Sequence, residues 1–302
     1  MSFRIRPDKD FTEEFKGVAC EQLDAAIEQL QRKPDGLHAA VHNMRKRLKR
    51  VRSLIRLTEK VAPDAASNEN ARFRDLAKSL SLVRDATALI GTVEKLQEQA
   101  KMEDAQAALS RVKDQLIKRR DHLAQTVSDV DSLSRTITQL QQGRDTLACL
   151  NFPSSSRKNA RMLAKSWRRT TKKAQKALLG CHQLSSDDDF HRLRKRTYDY
   201  RLFHLLLRDV WPSAMKAKYD VAKGLVERLG FVNDLAVLST LLDEEPHLVS
   251  SNGDVSFLLD AIITARQENR QTALKDADRL FSDDADEEAE RIELLWRLAA
   301  ET

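Results

Sequence analysis

The sequence predicts an all-α protein, and three observations carry that reading. Only 8 of the 302 residues are Gly and 6 are Pro. Leu, Ala, Gln, Arg, Lys and Glu, all good helix formers, dominate the rest. Apolar residues recur at the helical period along the whole chain, while the strict alternation of half-buried strands is nearly absent. The periodicity places helices at roughly 10–32, 37–60, 66–101, 103–128, 131–150, 156–180, 187–210, 213–244, 254–281 and 285–300. The gaps between them hold turn-forming clusters: KPDG at 33–36, APD at 62–64, NFPSSS at 151–156, LSSDDD at 184–189, WPS at 211–213 and SSNGD at 250–254. Pro34, Pro63, Pro153 and Pro212 lie in or beside these gaps, where a missing backbone donor costs little.

The NFPSSS break splits the chain into halves 1–150 and 151–302, and the halves resemble one another. His42 and His191 are 149 positions apart, and at the same separation Arg45 matches Arg194, Lys46 matches Lys195 and Arg52 matches Arg201. LSLVRDATAL (80–89) and LGFVNDLAVL (229–238) align at that separation too, with Leu80, Val83, Asp85 and Leu89 identical to Leu229, Val232, Asp234 and Leu238. Two motifs sharing one separation point to a duplicated helical unit, each half supplying about four helices.

Charge is distributed unevenly. The net charge is +6, yet 157–176 holds nine Lys or Arg and no acid, whereas 276–293 is strongly acidic. In HNMRKRLKRVR (42–52) six of eleven residues are basic. At about 100° per residue, Arg45, Lys46, Lys49, Arg52 and Arg56 fall on the side of His42, and Met44, Leu48, Val51 and Ile55 fall opposite. A buried stripe therefore backs a cationic ridge roughly 20 Å long. HRLRKRTYDYR (191–201) repeats the arrangement with His191, Arg194, Lys195, Tyr198 and Arg201 in front and Leu193 and Tyr200 behind. Arg157, Arg161, Lys165, Arg168 and Lys172, spaced four, four, three and four, form a third ridge. Like charges on one face repel, so a polyanion that neutralises them explains three ridges better than a solvated surface does.

The histidines leave three readings open: a hydrogen bond to phosphate or to a neighbour, core packing, or metal ligation through the His38–His42 pair. The pair does not recur in the second half, where 187 is Asp, and no metal is expected. Asp85 and Asp234 fit charged braces that hold the basic helices in register better than a catalytic pair. His122, His182, His204 and His247 follow no pattern and are expected to be structural. Three scattered cysteines read as free thiols. The N-terminal stretch has no apolar core of a secretion signal, and no run approaches a membrane span, so a cytoplasmic protein is expected.

The motif H-x-x-R-K-x-x-[basic]-x-x-R at 42–52, its second copy at 191–201, and the L-x-x-V-R-D and L-G-x-x-N-D segments resemble the CHAD family, the conserved histidine α-helical domain. The resemblance implies two pseudo-symmetric four-helix bundles with a basic groove, together one domain. It implies binding of inorganic polyphosphate and association with polyphosphate granules and their proteins. It also implies chain contacts by His42, Arg45, Lys46, Lys49, Arg52, His191, Arg194, Lys195 and Arg201. Tyr198 stands where a basic residue is common. The E-x-E-x-K signature of the triphosphatase domain often attached in this family is absent, so no catalysis is carried over. No cofactor is expected. The alternative partner is nucleic acid, which the single aromatic on the ridge faces fits less well, because single-strand binders stack bases on aromatics. A phosphohydrolase fits least: there is no Gly-rich phosphate loop, no carboxylate cluster and no nucleophile beside a base.

Overall fold

The computed structural model describes residues 3–80, 82–126, 130–249 and 251–301. Among the described residues the regular structure is helical, with no strand. The order is α1 (Phe11–Arg32), α2 (Gly36–Thr58), α3 (Pro63–Ser79), α4 (Leu82–Gln99), α5 (Glu103–Thr126), α6 (Val130–Ala148), α7 (Ser156–Gln183), α8 (Asp187–Leu206) and α9 (Pro212–Glu244). A single 3-10 turn (Pro246–Leu248), α10 (Asn252–Leu280) and α11 (Ala285–Ala299) follow.

The turn clusters become caps. Asp10 accepts from the Glu13 backbone N–H at the start of α1. In KPDG, Lys33 (φ 47°) and Gly36 (φ 84°) reverse the chain through left-handed conformations, of which glycine adopts its own without strain. Pro63 and Pro212 open α3 and α9, where the missing N–H would have no partner anyway. Ser186 and Asp189 form a reciprocal capping box at α8.

One expected helix is two. The stretch 66–101 breaks between α3 and α4, whereas the matching stretch of the second half is the unbroken α9. The last turn of α3 is occupied by other donors: Ser79 Oγ donates to the Leu76 carbonyl, and the Arg45 guanidinium donates to the Ala77 carbonyl. The Leu76 carbonyl is the one Leu80 would use in a continued helix, and the Leu80 N–H turns to the Lys78 carbonyl instead. Apart from this break, element order repeats at the 149-residue separation. α1 matches α7, α2 matches α8, α3 with α4 matches α9, α5 matches α10, and α6 matches α11.

Packing groups the helices in three sets. α1, α2, α3 and α6 pack together, and α7, α8 and α11 pack with the N-terminal part of α9. The α4–α5 pair packs against the other end of α9 and the N-terminal part of α10, closing a separate core of Val93, Leu96, Leu109, Leu235, Leu238 and Ile262. Two four-helix bundles, one per half, therefore do not describe the whole packing. α9 and α10 run 33 and 29 residues, longer than one apolar layer, and their far ends need the α4–α5 pair to cover them. Nor does the core divide at 151–156. Phe152 is buried against Phe11 and Phe15, with ring centroids 5.3 and 4.6 Å apart, and the larger core runs from Phe15 and Leu48 to Trp167, Phe203 and Trp296.

A buried polar knot ties α7, α8, α9 and α11. The Glu288 carboxylate accepts from Tyr200 Oη (2.7 Å), Trp167 Nε1 (3.1 Å) and Thr171 Oγ1 (3.1 Å), and pairs with Lys218, which also reaches Asp283 at 2.7 Å. Beside it, His204 is 2% exposed, and its Nδ1–H donates to the Tyr200 carbonyl at 2.9 Å. Burial pushes the His204 imidazole down to about 4, so it is a neutral core histidine at physiological pH. No helix among the described residues is long and apolar enough to cross a membrane.

Candidate functional site: a cationic cleft between α2, α8 and α9

The two His-bearing helices meet. α2 packs on α8, and Lys49 and Tyr198, which occupy equivalent positions in the two halves, touch at the crossing: Lys49 Nζ lies 5.5 Å from the centre of the Tyr198 ring. The Arg201 guanidinium covers the same ring at 4.6 Å and lies 5.7 Å from the centre of Tyr219 on α9. Tyr198 is thus a wall on which cations stack, an arrangement worth about 0.5–2 kcal/mol per contact.

Around this crossing opens a cleft of about 510 Å³. α2 contributes His42, Arg45, Lys46, Lys49 and Arg50; α4 contributes Arg84; α8 contributes Tyr198 and Arg201; α9 contributes Tyr219 and Lys223. Glu227 is the acid of the lining, and it faces Lys223 at 3.9 Å. Among the described residues, Lys46, Lys49, Arg50 and Arg201 form no ion pair. Lys49 is half-buried. Burial and then the like charges of Arg194, Arg84, Arg45 and Arg201 push its ammonium down to about 8. Lost hydration, followed by Arg84, Lys46, Lys49 and Arg45, also lowers the His42 imidazole below its ordinary value. The second histidine, His191, is lowered by burial and by Lys195, and its Nδ1–H donates to the Asn233 side-chain carbonyl, which leaves Nε2 as the acceptor of the neutral ring.

Asp85 stands 3.6 Å from Arg45 and 3.1 Å from Arg84, and Asp234 stands 3.9 Å from Arg194. Each carboxylate thus lies within ion-pair distance of the helix it was expected to brace. Arg194 also lies over Gly230, whose missing side chain leaves room for the guanidinium: a Cβ there would come within 3.3 Å of it. Arg52 and Arg56 stand outside the cleft lining. Arg52 Nε and Arg56 Nη1 both donate to Asn70 Oδ1 at 3.0 Å, and Arg56 pairs with Asp199. Burial and the neighbouring Arg56 lower Arg52 to about 10. Lys195 is exposed at the same side, next to Arg52 and Arg196.

The third ridge does not join the cleft. Arg168 and Lys172 pair with Asp286 at 2.6 and 2.7 Å, Arg161 faces Glu293 at 3.6 Å, and Lys165 is exposed on the same flank of α7. The counter-charge is the chain's own acidic segment on α11, so the ridge is partnered intramolecularly. Its acidic complement was visible in the sequence, but not its position. Conversely, Arg50, Arg84, Tyr219 and Lys223 line the cleft without having been singled out. Arg84 sits immediately before Asp85, and Tyr219 and Lys223 are four apart on one face of α9, but neither signal reads as a site until α4 and α9 are placed beside α2.

An all-helical chain whose element order repeats, with the two basic His-bearing helices crossing at its centre, defines the class. The family model described as CHAD domain matches residues 21–243, and the chain belongs to that family. It is similar to the crystal structure of the CHAD domain from the plant Ricinus communis, with a TM-score of 0.65 and 19% identity over 93% of this chain and 95% of that one. No curated protein matches it in sequence.

Proposed function

We propose that this protein binds inorganic polyphosphate in the cleft between α2, α8 and α9, in the cytoplasm and in association with polyphosphate granules, and does not hydrolyse it. The observation that carries the reading is Lys49, held at the crossing of the two halves among four arginines with no carboxylate paired to it. Such crowding opposes folding and is relieved by a ligand with closely spaced negative charges. Arginine forks suit phosphate oxygens, and lysine supplies mobile point charges. Lys49 and Arg201 both lie over the Tyr198 ring, where they compete with any base for stacking.

The test is competition of long-chain polyphosphate against single-stranded DNA and RNA at equal phosphate concentration, repeated across salt. Polyphosphate is expected to win, with log affinity falling linearly with log salt as condensed counterions are released. Equal competition by nucleic acid, or a salt-independent affinity, contradicts the proposal. Release of orthophosphate during the incubation contradicts the binding-only reading.

The lowered Lys49 adds a pH dependence. Lys49 carries its proton below about 8 and loses it above, so affinity for long chains is expected to be full near pH 7 and to fall between pH 7.5 and 9. Internal phosphates of a long chain do not titrate in that window. Lys49→Arg keeps its charge throughout and is expected to flatten the profile. Titrations of both proteins at fixed ionic strength check this, and parallel profiles would exclude Lys49 as the titrating group.

A further inference from the structure

The two sides of the α2–α8 crossing are built from equivalent positions, yet they are not equally open. Arg56 and Asp199 pair on one side, and Asp199 is 7% exposed. Their counterparts at the 149-residue separation are Leu205 and Arg50, and both line the cleft on the other side. Where the cleft has an arginine, the far side has an aspartate; where the cleft has a short leucine, the far side has the arginine that reaches it. Asn70 completes the closure by accepting from both Arg52 and Arg56. Arg52 is the counterpart of Arg201, which in the open cleft stacks on Tyr198 and Tyr219 with no carboxylate pairing among the described residues. The same frame thus leaves Lys46, Lys49, Arg50 and Arg201 without an ion pair among the described residues on one side, and pairs Arg56 with a buried aspartate on the other.

We propose that Asp199 is a built-in counter-ion that closes one of two equivalent anion half-sites, so that a polyanion enters on the Arg50–Arg201 side and the Arg52–Arg56 side is held in reserve. The proposal rests on the polyanion reading above. A phosphate group reaching Arg52 and Arg56 competes with a carboxylate already in contact with Arg56, and the carboxylate is covalently part of the fold, with no entropy of association to lose. Asp199 therefore limits both the affinity and the length of chain the site engages.

The experiment measures affinity for long-chain polyphosphate as a function of salt for wild type and Asp199→Asn, with urea unfolding in parallel. Asp199→Asn is expected to bind five- to tenfold more tightly. Its salt dependence should steepen by about 0.7–0.9 in log–log slope for each cation newly engaged. Unchanged or weaker binding by a folded Asp199→Asn overturns the proposal. Loss of the ion pair can unfold that variant, so Arg56→Met with Asp199→Leu serves as a second one, replacing the pair by apolar volume, a change that proteins tolerate well. It is expected to bind more tightly than wild type, because Arg52 loses the neighbouring carboxylate and Arg56 was not in use. Affinity below wild type would place Arg56 on the ligand and overturn the proposal. A wild-type protein that binds no polyphosphate refutes the functional reading itself; a wild type that binds, with no gain in either variant, refutes this inference alone.

Discussion

Lys49→Glu is expected to weaken binding of long-chain polyphosphate by about a hundredfold and at the same time to raise the urea midpoint of the free protein. Both effects have one cause. Lys49 stands among Arg45, Arg84, Arg194 and Arg201. A carboxylate there pairs with its neighbours and relieves their repulsion, and it also occupies the position the ligand's charge would take. Two units of charge change at a partly desolvated contact correspond to roughly 3 kcal/mol of binding. Lys49→Met, which keeps the stem against Tyr198 and drops the charge, should fall between the two proteins in both measurements. Opposite movement of affinity and stability is the signature of a residue held for binding at the expense of folding. A parallel fall in both would make Lys49 a structural residue. Lys46→Glu and Lys195→Glu extend the test, because both side chains are exposed and lie at equivalent positions on the two helices. If one chain spans both ridges, each substitution costs more for a long polyphosphate than for one too short to bridge them.

Glu288→Ala is expected to destabilise the fold by about 3–5 kcal/mol. It leaves the donors of Trp167, Thr171 and Tyr200 without their acceptor in the interior and Lys218 with Asp283 alone. Glu288→Gln keeps the shape and loses only the charge, and should cost less. Urea unfolding at pH 7.5 measures both, and a cost under 1 kcal/mol for the alanine variant would show that the knot is not a stabilising unit. The pH dependence has a definite sign. Burial alone would raise the Glu288 carboxyl, but Lys218, Tyr200 and Trp167 outweigh it and hold it below the ordinary glutamate value. Its contribution is therefore complete above the unfolded value and lost as pH falls through the lower folded one. His204 adds to the acid sensitivity earlier in the same direction. Its folded value of about 4 lies below the unfolded 6.5, so the unfolded chain takes up a proton first as pH drops through that window.

Much of this was readable in the order of residues. Helical periodicity and turn clusters located the helices. The break between α3 and α4 falls where the helical spacing continues in the sequence, and the Arg45 donation to the Ala77 carbonyl beside it is a contact between helices that no local pattern announces. The repeat of element order was legible because paired motifs share one separation, and the faces of α2 and α8 were legible because basic and apolar residues segregate by helical angle. The α7 ridge has the same pattern and a different fate: an identical stripe of cations is a ligand-facing surface or one side of a helix–helix ion-pair seam, depending only on what packs against it. Asp286 and Glu293 decided that.

By itself, then, the sequence determined the all-helical class and the faces of the helices, because these follow from local propensity and periodic patterning, which act over a few turns of chain, while the paired motifs carried the resemblance to the family. The tertiary structure decided which charges remain unneutralised. Coulomb energy depends on distance and burial rather than on position in the chain. Lys49 and Tyr198 are remote in sequence and in contact in space, as are Arg56 and Asp199. One contact sets Lys49 among arginines with no carboxylate paired to it, the other joins an arginine to a buried aspartate, and both exist only because α2 crosses α8.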